Sequence, residues 1–168
     1  MRLAGQEDID RVERVLESGR MYLKERGLPQ WQNGYGPNRE MVEEDVQKQE
    51  GYVLTADGAV CGYAALVAGE DEYYARMDGS WDESRSAYVT IHRVAIDKAQ
   101  RGRGLSKIFM NSLIQASKAL GYYDIRIDTY PGNNIMIALI EKSGFIYRGM
   151  IQLPFPDGER RAYQLIVD

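Results

Sequence analysis

Between residues 92 and 107 the chain carries a β-type run, His92-Arg93-Val94-Ala95-Ile96, then a short link and Arg101-Gly102-Arg103-Gly104-Leu105-Ser106-Lys107. Glycines at the start of a helix let the backbone turn with several N–H groups pointing inward, and the orphan N–H groups and dipole of the helix start favour an anion there. Arg101, Arg103 and Lys107 add positive charge at the same place, so a diphosphate fits. Spacing excludes two common nucleotide loops. Lys107 stands where the third glycine of G-x-G-x-x-G belongs, and G-x-x-x-x-G-K-[ST] has no match. The plainer readings are a solvated basic turn or, for the Arg-Gly pairs, a single copy of an RNA-binding segment.

His92 is the only histidine. On a strand Thr90, His92, Val94 and Ile96 share one face, and the ordinary histidine pKa of about 6.5 suits a general base. A satisfied structural histidine is the alternative. Cys61 lies in an apolar strand-like run and is a poor nucleophile candidate. One cysteine and one histidine cannot assemble a structural zinc site, so no metal is expected. In residues 69–86, Glu70, Asp71, Glu72, Asp78, Asp82 and Glu83 face only Arg76 and Arg85, which either draws in a cationic amine or makes a solvated loop. Trp31, Tyr35, Tyr73 and Trp81 are candidates to shape an acceptor pocket, with packing under a long loop as the alternative.

These residues need a scaffold, and the chain is long enough to supply one. Its 168 residues, 44% apolar, read as one domain over residues 1–168. A chain of this size buries roughly 70% of its unfolded surface without needing disulfides. The 21 Lys+Arg against 25 Asp+Glu give a net charge of −4, which argues against nucleic acid or an anionic membrane as partner. No run reaches the ~20 apolar residues of a membrane span, so a soluble, cytoplasmic protein is expected.

A strand at 2–4 precedes a helix in which Ile9, Val12, Leu16 and Leu23 share one face and Gly27 follows the end. A loop at 28–37 and a helix at about 40–48 come next. Strands at 51–55 and 60–67 are joined around Asp57-Gly58, a tight-turn dipeptide. An elaborated loop over 69–86 leads to a strand at 87–96. Then come a helix from Leu105 stopped by Gly121, a strand at 124–130, a helix at 134–142 stopped by Gly144, and strands at 145–153 and 161–167. This order predicts an α/β fold, a mixed and mostly antiparallel sheet of about six to seven strands with helices on both faces.

The pattern R-x-x-G-x-small, carried by Arg101, Gly104 and Ser106, resembles the coenzyme A pyrophosphate loop of the GNAT superfamily of acyl-CoA-dependent N-acyltransferases. A second family pattern, N-x-x-A-x-x-x-Y-x-x-x-G-F, is matched in register by Asn133, Met136, Ile140, Gly144 and Phe145. Tyr88-Val89-Thr90-Ile91-His92-Arg93-Val94-Ala95 and Asp128-Thr129-Tyr130-Pro131 are similar to segments of a bacterial subgroup whose substrate is unassigned.

The resemblance implies a GNAT fold with a splayed central strand pair, and transfer of an acetyl or other acyl group from acetyl-CoA to a primary amine of a small molecule or peptide by direct attack. It implies that backbone groups of Val94, Ala95 and Ile96 meet pantetheine. Arg101, Gly102, Arg103, Gly104, Leu105, Ser106 and Lys107 would hold the pyrophosphate. Asn133 and Met136 would lie beside the pantetheine arm, although helical spacing also marks Met136 as core. A backbone N–H near Val94 would stabilise the oxyanion.

Two positions depart from the family. Ser106 replaces the usual Gly or Ala and is still small. Ile140 stands where many members have the tyrosine that protonates the departing thiolate, and isoleucine can do no acid work. Tyr130 and Tyr147 are the candidate substitutes. A non-catalytic acyl-CoA binding or sensing module is the alternative reading. Edge strands in such folds often pair, which leaves a homodimer open.

Overall fold

A computed structural model describes residues Met1–Asp168. The chain forms β1 (Arg2–Leu3), α1 (Ile9–Glu25), α2 (Arg39–Gln47), β2 (Gly51–Ala56), β3 (Ala59–Ala68), α3 (Glu72–Ala75), β4 (Asp78–Gly79), β5 (Tyr88–Ile96), α4 (Leu105–Ala119), β6 (Asp124–Thr129), α5 (Asn134–Lys142), β7 (Ile146–Gln152) and β8 (Glu159–Ile166). The strands follow the order β1-β2-β3-β5-β6-β8-β7-β4 in one open, mixed sheet. Two compact units are distinguished: Met1–Leu66 with His92–Phe109, and Val67–Ile91 with Met110–Asp168. Their boundaries fall inside the continuous elements β3, β5 and α4. No helix is long and apolar enough to cross a membrane.

In the first unit, α1 presents Ile9, Val12, Val15 and Leu16 to a core completed by Val42 of α2, Val53, Tyr63 and Ala95, with Trp31 packed against it. Full burial of each such aliphatic side chain contributes about 1.5–3 kcal/mol, which holds this helix where its polar face alone would not. Asn38 caps α2 by accepting the Met41 N–H at 3.0 Å. The β2–β3 hairpin turns through Asp57 (φ 51°) and Gly58 (φ 78°), the left-handed pair that a two-residue turn requires.

In the second unit, β6 runs parallel to the first half of β5, with Tyr88 opposite Asp124 through Ile91 opposite Ile127, and the ladder ends there. On its other edge β6 pairs antiparallel with β8, which pairs with β7. The 69–86 segment, expected as loop, contains α3 and β4. Asp71 caps α3 by accepting the Tyr73 N–H at 2.8 Å, and β4 adds an eighth strand beside β7. Gly79 and Gly149 make that last pairing feasible, because a Cβ on either would collide with the carbonyl of Arg148 or of Asp78.

Candidate active site

The link after β5 is built outward from α1. Lys98 donates its N–H to Ser18 Oγ at 2.8 Å, and its ammonium reaches Glu25 at 3.0 Å. Arg11 donates to the Val60 carbonyl at 2.8 Å and to Asp97. Asp97 in turn accepts the Ala99 N–H at 3.1 Å. Burial pushes the Asp97 carboxyl up, but the Ala99 N–H and the Arg11 guanidinium outweigh it and leave it below the ordinary aspartate range. The Arg101 guanidinium lies over the Tyr22 ring, 3.6 Å from its centroid, and desolvation lowers its pKa. Ser18, Tyr22 and Glu25, at helical spacing, thus form a cradle for the loop.

Beyond Arg101 the chain opens. Gly102 and Gly104 take φ of +79° and +71°, and a Cβ on either would meet nothing within 4 Å. The first intrahelical bond of α4 runs from Ile108 N–H to Gly104 C=O at 3.3 Å, which leaves the N–H groups of Leu105, Ser106 and Lys107 outside the helical ladder. Of the three cations expected here, Arg101 is spent on Tyr22, Arg103 pairs with Asp57 at 3.0 Å and with Gln100, and Lys107 is exposed. Anion-binding capacity therefore lives in the backbone and the α4 dipole, with Lys107 the side chain left for it. Two left-handed glycines facing open space beside free amides fit a diphosphate.

Upstream, β5 is not uniformly extended. Arg93 has φ +58°, a left-handed conformation that costs an L-residue without a short polar side chain about 1–2 kcal/mol. Its guanidinium forms a two-point ion pair with Asp45 of α2, Nε to Oδ2 at 2.9 Å and Nη2 to Oδ1 at 2.5 Å. The Tyr63 hydroxyl donates to the same Asp45 Oδ2 at 2.7 Å. Burial, then the hydrogen bond to Asp45 and its charge, push the Tyr63 phenol far above its ordinary range, so it stays a donor. Gly51 leaves room for this group, since a Cβ there would stand 2.8 Å from the Tyr63 hydroxyl. Ala95 belongs to the core with Tyr63, whereas Ile96 lies where Gly62 lacks a side chain. Sequence reasoning missed Arg93, Asp45 and Tyr63; no residue type marks arginine for a positive φ.

His92 is half-buried at the start of this stretch. Val94 and Ile96 are half-buried too. In the second unit Asn133 caps α5, its Oδ1 accepting the Met136 N–H at 3.3 Å, and Met136 is half-buried. Ile140 is fully buried, so the position where the sequence resemblance expected a tyrosine is core here. Tyr130 is half-buried, and desolvation, then Glu159 and Asp157, raise its pKa above the ordinary phenol value. Tyr147 is exposed and packs edge-on against Tyr163 at 5.6 Å.

The four aromatics expected near an acceptor divide between the units. Trp31 packs on the first core beside Gly19, and Tyr35 is exposed on the same loop. Tyr73 is half-buried on α3, and Trp81 stacks on Tyr74 at 5.4 Å while its indole donates to the Tyr74 carbonyl. Trp81 and Tyr88 enclose the Arg126 guanidinium at 4.2 and 3.7 Å from their centroids, and Arg126 pairs with the fully buried Asp124 at 2.8 Å. Tyr74, whose pKa burial raises, donates to Asp128 at 2.7 Å. The 69–86 segment is thus an ordered cover over the polar face of β6.

Strand β5 of the open mixed sheet thus runs through a two-glycine loop into the N-terminus of α4. Residues 20–145 match the model of the Acetyltransferase (GNAT) family, and the chain belongs to that family. It is 34% identical to an acetyltransferase of the GNAT family from Streptococcus agalactiae 2603, over 99% of this chain and 94% of that one, with TM-score 0.90. An acetyltransferase of the GNAT family from Listeria monocytogenes 4b F2365 is 19% identical over 99% and 93%, with TM-score 0.76. A Salmonella typhimurium protein solved with its cofactor acetyl-CoA is 19% identical over 99% and 92%, with TM-score 0.69. These last two likenesses show the fold alone. No curated protein matches the chain. The family in general transfers acyl groups from acetyl-CoA.

Proposed function

We propose that this protein transfers an acetyl group, or a related acyl group, from acetyl-CoA to a primary amine of a small molecule or peptide by direct attack, without a covalent enzyme intermediate. The observation that carries this reading is the loop at Gly102 and Gly104, left-handed at both glycines, open above them, and continuous with the free amides of the α4 N-terminus. Acetyl-CoA supplies an activated thioester, and every other task falls to the chain. Amides of residues 101–106 and Lys107 hold the pyrophosphate. Backbone groups of Val94, Ala95 and Ile96, with Asn133 and Met136, position the pantetheine arm. The Val94 N–H stabilises the negative charge that develops on the carbonyl oxygen. Holding an amine beside the carbonyl makes the attack effectively unimolecular.

His92 removes the proton from the attacking amine and Tyr130, a phenol at neutral pH, returns one to the leaving sulfur. Trp31, Tyr35, Tyr73 and Trp81 shape the acceptor side. The second reading, a binding module without turnover, is favoured by one observation: Ile140 is core and supplies no acid. Titration calorimetry with acetyl-CoA, using ATP and NAD as controls, tests the loop; micromolar and selective binding is expected. Release of free coenzyme A across amino acids, polyamines, aminoglycosides and peptides then separates the readings. Binding with no release on any amine leaves the module.

A further inference from the structure

We propose that Asp45 and Tyr63 act as a buried clamp on Arg93, fixing its left-handed backbone and thereby aiming the Val94 N–H at the thioester carbonyl. The inference rests on the acyl-transfer reading above and adds positioning residues to it. Arg93 sits one residue before the amide in question, and its φ of +58° sets the direction of the peptide plane that carries the Val94 N–H. Nothing intrinsic to arginine selects that conformation; a strand interior favours the extended one. What selects it here is the side chain's two-point attachment, through Nε at 2.9 Å and Nη2 at 2.5 Å, to a carboxylate that is itself held.

Asp45 is held from several sides. It belongs to α2, its backbone carbonyl accepts the Glu50 N–H at 2.8 Å, and its Oδ2 accepts from Tyr63, whose ring is fully buried. Only 5% of the Asp45 side chain is exposed, beside an apolar cluster that includes Val42, Val53 and Ala95. A buried ion pair of this kind adds little net stability over apolar packing, so fixing one geometry among several is the role that fits it. The absent side chain at Gly51 preserves the space the clamp needs.

The test reads the carbonyl itself and needs no acceptor. Isotope-edited infrared spectra of acetyl-CoA labelled with carbon-13 at the carbonyl, bound to the full-length protein, report the hydrogen bond as a downward shift of the C=O stretch. The wild type is expected to show that shift. Asp45→Asn and Arg93→Ala are expected to lose at least half of it while acetyl-CoA affinity changes by less than about threefold, because the pyrophosphate amides are untouched. The double variant Asp45→Asn with Arg93→Gly removes both charges and gives the left-handed residue to glycine, so it should recover much of the shift. Tyr63→Phe, the mildest change, keeps the fold accessible if the others fail to fold and should lose part of the shift. Folded clamp variants that retain the full shift overturn the proposal. Acetyl-CoA bound by the wild type with no carbonyl shift also overturns it but spares the binding reading. No binding at all by the folded wild type removes both.

Discussion

Arg101 rests its guanidinium 3.6 Å from the centroid of the Tyr22 ring, so the first residue of the two-glycine loop is fastened to the fourth turn of α1. The same ring also carries Arg26 at 4.5 Å. Removing the ring should loosen the loop without unfolding the domain. For Tyr22→Ala, the lost cation–π contact of about 0.5–2 kcal/mol is expected to weaken acetyl-CoA binding roughly twofold to thirtyfold. Titration calorimetry of the variant against the wild type checks this, and Tyr22→Phe should behave as the wild type.

Gly104 stands at φ +71° with open space where a side chain would project. Gly104→Trp puts a large side chain into that space and imposes a left-handed conformation on an L-residue, at about 1–2 kcal/mol. Thermal unfolding should register that modest cost, while acetyl-CoA binding should disappear. Unchanged affinity would remove the loop from the site.

Asp97 carries a pH signature. Its folded pKa lies below the ordinary aspartate value, so its contribution to stability is complete above about pH 4 and is lost as pH falls through the folded value. Asp97→Asn should therefore be less stable at neutral pH by about 1–3 kcal/mol, the worth of its charge-assisted bonds to Ala99 and Arg11. Urea unfolding of both proteins from pH 7 down to pH 2 should show the difference shrinking only at the acid end.

If His92 is the base, replacing it by glutamine should lower kcat/KM by about 10²–10⁴ and abolish the acid limb of the rate profile. A steady-state pH series on any productive amine reads both. A profile whose acid limb survives in His92→Gln assigns the proton to another group or a water chain.

Ile140→Tyr places a phenol into a position with no exposed surface. Overpacking of this kind costs about 1–3 kcal/mol, so a lower Tm and no gain in kcat are expected. A rate increase in a stable Ile140→Tyr protein would show that the pocket still admits an acid there.

Elements with punctuation were legible in the sequence. Asp57-Gly58 marked its hairpin, and Gly121 and Gly144, at φ +87° and +94°, marked two helix ends, because only a residue indifferent to left-handed backbone serves there. The left-handed turns at Gly102 and Gly104 were legible for the same reason. What stayed hidden has no local signal. α3 and β4 are too short to show a period, and β4 exists because Gly79 and Gly149 let two backbones approach. The pairing of Asp45 with Arg93 joins residues far apart in the chain, and a positive φ at arginine is written in its partner. Three basic residues in the loop read as three ligands for an anion, yet Tyr22 and Asp57 engage two of them.

Cys61, the single cysteine, sits inside β3 with 1% of its surface exposed, its Sγ 3.5 Å from the Leu54 carbonyl and its thiol pushed up by burial. In the native state it is therefore mute toward alkylating reagents, which attack the thiolate. Any labelling that does occur counts excursions in which β3 comes away from its neighbours. The chain thus contains its own stopwatch for local opening, and the protection that a bound molecule confers on the first unit can be read as a slower modification of one atom.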